Sequence, residues 1–181
     1  MSIKHYVISG GWLLVSNIVI DSPSSPQMSV ETSYRGIRSY YNNQTFLTKS
    51  SMNELSTHLS FTQLRFHCSK QQGRTFHVTT VANSTGEAVV QYFSGQTDVQ
   101  PDACGSFVRV ENDNSRLARV CDQWGSSDGV PFVGKWDSNS LNGPVAYVWY
   151  QYHWLLDLSR WECDDFSVGV SSGDFLKVFV R

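Results

Sequence analysis

Four cysteines, Cys68, Cys104, Cys121 and Cys163, constrain the fold of this chain more than any other feature. None forms a C-x-x-C pair, so the spacings of zinc sites and thioredoxin-like redox sites are absent. An even number of widely separated cysteines fits two disulfides, and three connectivities are open. Two sequons, Asn43-Gln44-Thr45 and Asn83-Ser84-Thr85, are glycan acceptors if the chain crosses the secretory pathway. Together these features predict a secreted, extracellular glycoprotein.

A chain of 181 residues is expected to form one domain over 1–181. Aromatic residues reach 13%, ample for a core, while charged residues reach only 17%, so Ser, Thr, Asn and Gln must supply much of the polar surface. With a net charge of −2 and no strongly basic stretch, the footprint of nucleic-acid binding is missing. No apolar run approaches the roughly 18 residues of a membrane span. Trp12 to Ile20 reads as a buried strand, because Ser16 and Asn17 interrupt it and Ile20-Asp21-Ser22-Pro23 is a poor cleavage site. The N-terminal edge of the domain and its secretion signal are then expected upstream.

Ser51 and Glu54 form a capping-box pattern that opens a helix with Met52, Leu55 and Leu59 on one face. Strands are predicted over 61–68, 75–81, 88–93, 106–110 and 175–180, each short and bounded by turn residues. A helical turn is expected from Ser115 to Cys121 with Asn114 or Ser115 as its cap. The aromatic run from Val145 to Leu156 reads as one strand, with Tyr147, Trp149, Gln151 and His153 on one face and Val148, Tyr150, Tyr152 and Trp154 on the other. The pattern is β-rich, and an all-β sandwich is one architecture it fits.

Enzyme motifs fail. Gly169-Val170-Ser171-Ser172-Gly173 matches the nucleophile-elbow pattern, whose acid and His follow the Ser in the chain, yet no His follows Ser171. The histidines have no H-E-x-x-H spacing, and the cysteines are better used as disulfides than as nucleophiles. The acid pairs Asp164-Asp165 and Asp122/Asp128 lie in loop-like sequence. Glu111-Asn112-Asp113-Asn114 offers four oxygen-bearing side chains in a row, as a Ca²⁺ site needs, or an Asx-turn that caps the next helical turn. Asp164-Asp165 is a second calcium candidate. Aromatics near carboxylates suit a sugar, whose C–H face stacks on a ring while polar groups fix its hydroxyls. Trp149, His153, Trp154 and Trp161 are the aromatic and imidazole candidates for that site; core packing is the alternative for most of the aromatics.

Both chain ends carry a resemblance. Gly10-Gly11-Trp12-Leu13-Leu14-Val15 resembles the opening of fibrinogen-related C-terminal domains and of intelectins, secreted lectins related to them. Cys163-Asp164-Asp165-Phe166, then Ser171-Ser172-Gly173-Asp174 and Val178-Phe179-Val180-Arg181, is similar to the close of an intelectin, and Asn112-Asp113-Asn114 to a fibrinogen-related calcium loop. The resemblance implies an α+β, β-rich domain with long loops, a ligand-side carboxylate at Asp157, Glu162 or Asp165, and a lectin-like, calcium-assisted recognition of glycans or cell-surface glycoproteins in innate immunity or adhesion. A homo-oligomer is how such lectins gain avidity. The chain departs from the family in lacking a Cys before Gly10 and in the short stretch between Phe166 and Ser171, which bears on the sugar-contacting aromatics. An extracellular protein-interaction domain, matrix- or receptor-facing, is the alternative function.

Overall fold

The computed structural model describes residues 7–8, 10–22, 28–37, 43–138, 144–157 and 160–181. Its strands are β1 (Val7–Ile8), β2 (Trp12–Val19), β3 (Ser29–Glu31), β4 (Gln44–Leu47), β5 (Leu64–Ser69), β6 (Thr75–Thr80) and β7 (Phe107–Arg109). They continue with β8 (Ser126–Ser127), β9 (Val130–Pro131), β10 (Asp137–Ser138), β11 (Pro144–Val148), β12 (Tyr152–Leu156), β13 (Trp161–Asp165) and β14 (Phe175–Val180). Two helices, α1 (Lys49–His58) and α2 (Ser84–Phe93), make the class a strand-rich mixture of α and β rather than an all-β sandwich. Among the described residues no helix is long and apolar enough to cross a membrane.

One sheet runs in the order β3-β4-β2-β14-β5-β6-β7, with β1 also on β2. Seven of the eight β2 residues are buried, which is the environment that a Trp-Leu-Leu-Val run needs. The last strand, β14, lies between β2 and β5 and pairs antiparallel with both. Register places Val178, Phe66 and Val78 in one row and Leu176, Cys68 and Phe76 in the next. All six are buried, so this face is the core face.

Three layers of side chains close over it. Met52 and Leu55 come from α1, Val89, Val90 and Phe93 from α2, and Ala146, Val148, Trp154, Leu156 and Trp161 from a second sheet, β10-β11-β12-β13. Phe66 sits at the centre, with ring centroids 4.9 Å from Trp154, 5.2 Å from Trp136 and 5.6 Å from Phe93. The disulfide Cys68–Cys163 ties β5 to β13 and so joins the two sheets, while Cys104–Cys121 ties the turn before β7 to the segment that follows it.

Several local expectations are corrected. The cap of α1 is Thr48, whose hydroxyl accepts from Ser51 N–H, so the helix opens before Ser51. Residues 88–93 are helical, not extended: Asn83 caps α2 by accepting from Thr85 and Gly86 N–H. The turn after Asn114 is 3₁₀, in two pieces, Leu117–Arg119 and Cys121–Gln123. The Val145–Leu156 run is a hairpin, not a strand. Trp149, Tyr150 and Gln151 form its loop, Gln151 N–H bonds Val148 C=O at 2.9 Å, and Tyr150 adopts φ 56°.

Candidate functional site

The hairpin and the bulge after it sort the candidate residues into two groups. β12 and β13 pair Leu156 with Trp161, Leu155 with Glu162 and Trp154 with Cys163, and the register then shifts so that His153 faces Asp165. Because side chains alternate along a strand, Trp154 and Trp161 turn inward while His153 and Glu162 turn outward. Trp154 and Trp161 are 1% and 4% exposed, which removes both from any ligand surface. Tyr147 pairs with His153 across β11 and β12 and shares its outward face.

Outward, these residues border an open cleft of about 260 Å³ lined by Ser126, Tyr147, Trp149, Tyr150, His153, Arg160 and Phe166. The loop aromatics are its wall: Trp149 is 36% and Tyr150 69% exposed. Their rings meet edge to face, Tyr150 does the same with Phe166, and Phe166 with His153 at 4.9 Å. The Ser126 and Tyr147 hydroxyls bond to each other at 2.6 Å, and burial pushes the Tyr147 phenol up, so it stays neutral.

Behind the cleft the buried pair His153 and Glu162 meets the exposed Arg160. His153 Nδ1 is 2.5 Å from Glu162 Oε2, a contact that requires a proton between the two atoms. Arg160 Nη2 donates to both Glu162 oxygens at 2.9 Å, and Ser167 N–H donates at 2.9 Å. Burial opposes ionisation of Glu162, but the His153, Ser167 and Arg160 bonds outweigh it and hold the carboxyl below its usual range. Arg160 Nη2 also lies 3.1 Å from His153 Nδ1. With the Nδ1 proton directed at Glu162, that contact is not a hydrogen bond, and Nε2 is the ring's remaining polar atom. Nε2 is buried and has no partner among the described residues. A ligand hydroxyl reaching it would complete the imidazole's bonding.

Asp165 belongs to a different cavity, of about 250 Å³, between the Lys70–Arg74 loop and residues 164–174. It pairs with the buried Lys70 ammonium, which also donates to Val168 C=O at 2.9 Å. Burial raises its carboxyl despite that pair. Asp164 pairs with Arg74 and accepts from Leu117 and Arg116 N–H at 2.6 and 3.0 Å, so it caps the first 3₁₀ turn. Asp157 closes the β12–β13 connection through its N–H to Arg160 C=O, away from the lining of the cleft.

The oxygens of Glu111–Asn114 are used within the protein, except for Glu111, which is exposed. Asp113 accepts from His77 N–H at 2.9 Å and Ser115 Oγ at 2.8 Å and pairs with Arg109, and Asn114 accepts from Thr75 N–H at 2.7 Å. Asn112 Oδ1 contacts the His77 ring. A calcium ion held by Asp113 would have to displace the Arg109 guanidinium. Among the described residues no three His, Cys, Asp or Glu side chains gather as a metal site.

Of the two sequons, Asn83 is exposed, whereas Asn43 is half-buried, bonded to Asn17 and followed by a fully buried Thr45. Tyr150, Arg160 and Phe166 escaped the sequence-level site. Tyr150 fell on the opposite face of a strand that proved to be a hairpin, Phe166 was noted only as the end of the Cys163–Phe166 motif, and Arg160 carried no pattern. No family model, no curated protein and no solved structure matches this chain.

Proposed function

We propose that the protein is an extracellular carbohydrate-recognition module whose ligand site is the cleft beside Trp149. The observation that carries this reading is a cleft walled by the exposed Trp149 and Tyr150 and lined also by His153, whose Nε2 is buried and has no partner among the described residues. A pyranose has both matching features, an apolar C–H face for the rings and hydroxyls, which donate and accept, for the imidazole. Two disulfides fit an oxidising, extracellular compartment, and the resemblance of the chain ends to fibrinogen-related domains and intelectins points to the same class.

A glycan array tests the reading with wild type, Trp149→Ala and His153→Ala, each with calcium and with EDTA. Wild type is expected to bind at least one glycan class, and Trp149→Ala to lose it by roughly tenfold or more, since truncating a Trp that anchors a ligand costs on the order of 2 kcal/mol. No binding by folded wild type, or equal binding by Trp149→Ala, sinks the proposal. The EDTA arm decides whether calcium assists. A protein partner is the second reading, favoured by the 69% exposure of Tyr150 at the hairpin tip.

A further inference from the structure

The outward face of the large sheet holds a charge segregation that neither the core nor the cleft uses. Its four adjacent central strands, β2, β14, β5 and β6, contain no Asp or Glu. They do contain Arg65, His67, His77 and Lys177, and Arg181 follows β14. Register sets Lys177 opposite His67 and His67 opposite His77, whose rings stack at 3.7 Å. Arg65 and Arg181 lie over the Trp12 ring, 4.1 and 4.7 Å from its centroid.

Most cations elsewhere are neutralised: Arg35, Lys49, Lys70, Arg74, Arg109, Lys135 and Arg160 each pair with a carboxylate. Among the described residues Arg65, Lys177 and Arg181 form no ion pair with a carboxylate. Arg65 reaches the Thr79 hydroxyl and Arg181 the Gln63 amide oxygen instead. Asp113, which accepts from the His77 N–H of β6, is buried and already paired with Arg109. Like charges held together with no counter-charge repel, and burial together with Arg181 depresses the Arg65 pKa while burial depresses that of Lys177. In a chain of net charge −2 this face is a local inversion of sign.

We propose that this sheet face binds a linear sulfated polysaccharide through Arg65, Lys177 and Arg181. The cations are spread over two neighbouring strands, about 4.8 Å apart, with Arg65 and Lys177 half-buried and Arg181 exposed. That spacing suits a polymer with repeated anions better than one small anion, and guanidinium forks match sulfate oxygens. An anionic membrane is the poorer fit, because Trp12, Leu14 and Phe179 on this face are buried and offer nothing to insert. The face is separate from the cleft and does not depend on it.

The test is retention on immobilised heparin, with elution by salt. Wild type and Trp149→Ala are expected to stay bound at about 0.15 M salt, where exposed charges more than roughly 8 Å apart are already screened. R65Q/K177Q is expected to flow through, R65K/K177R to be retained, and R181Q, at an exposed position, to elute at lower salt than wild type. R119Q, an exposed arginine on the first 3₁₀ turn, serves as the control and should match wild type. Soluble dextran sulfate should compete and neutral dextran should not, a measurement that needs no variant to fold. Flow-through of wild type, co-elution of folded R65Q/K177Q or R181Q with wild type, or binding to phosphatidylserine vesicles without retention on heparin would each overturn the proposal.

Discussion

At His67, burial first, and then the neighbouring His77, Lys177 and Arg65, push the imidazole pKa from 6.5 to about 3. The folded pKa lies below the unfolded one, so the stability this group contributes is fully present above about pH 6.5. It is lost as pH falls toward the folded value. Folded wild type should therefore lose urea resistance between pH 7 and 4, and His67→Phe, which keeps a ring against His77 and Phe175, should lose less. Parallel pH profiles for the two proteins would show that another group governs acid sensitivity. His77 acts in the same direction, since burial also lowers it, so the variant's slope is expected to shrink rather than vanish. The His153–Glu162 contact illustrates how a single residue's chemistry depends on its partners. The types were readable in the chain, but the buried carboxylate, the Arg160 clamp and the unpartnered Nε2 exist only where β12 and β13 bring them together.

Among the elements, α2 is the most instructive. Ala88-Val89-Val90-Gln91-Tyr92-Phe93 has strand-like composition, yet Asn83 caps a helix whose Val89, Val90 and Phe93 fall on one side at helical spacing. The same Asn83-Ser84-Thr85 read as a sequon thus also starts a helix, with Thr85 Oγ1 bonding Asn83 Oδ1 at 2.7 Å. The junction with β6 is tight at Gly86, where a Cβ would come within 1.9 Å of the Val81 carbonyl oxygen. Gly86→Ala should therefore cost roughly 3 kcal/mol or more, although alanine is the better helix former, because backbone must move to admit it. Urea denaturation measures this, and a loss under about 1 kcal/mol would mean that strand and helix do not meet this closely. The hairpin at Trp149–Gln151 was unreadable for the opposite reason. Its loop contains no Gly, Asn or Asp, and Tyr150 takes the left-handed conformation without the usual sequence signal.

For the whole molecule, the cross-link between the sheets is expected to dominate stability. Cys68–Cys163 closes a separation of 95 residues and Cys104–Cys121 one of 17. In the chain-entropy account C68A/C163A should lose roughly 4–5 kcal/mol and C104A/C121A about 3 kcal/mol. Chemical denaturation of the two double variants gives the order directly, and a larger loss from the shorter loop would contradict it. Alone, the sequence determined a disulfide-bonded, β-rich chain, the buried strand at Trp12 and the closing strand at Phe175, because cysteine number and apolar runs are local properties. It also marked the neighbourhood of Trp149, His153 and Glu162. Only the tertiary structure decided the disulfide pairing, the place of β14 in the middle of the sheet, and the separation of His153 at the cleft, with Glu162 behind it, from Trp154 and Trp161 in the core. Those depend on strand register and on a one-residue bulge, which set which face each side chain occupies and leave no trace in composition or spacing.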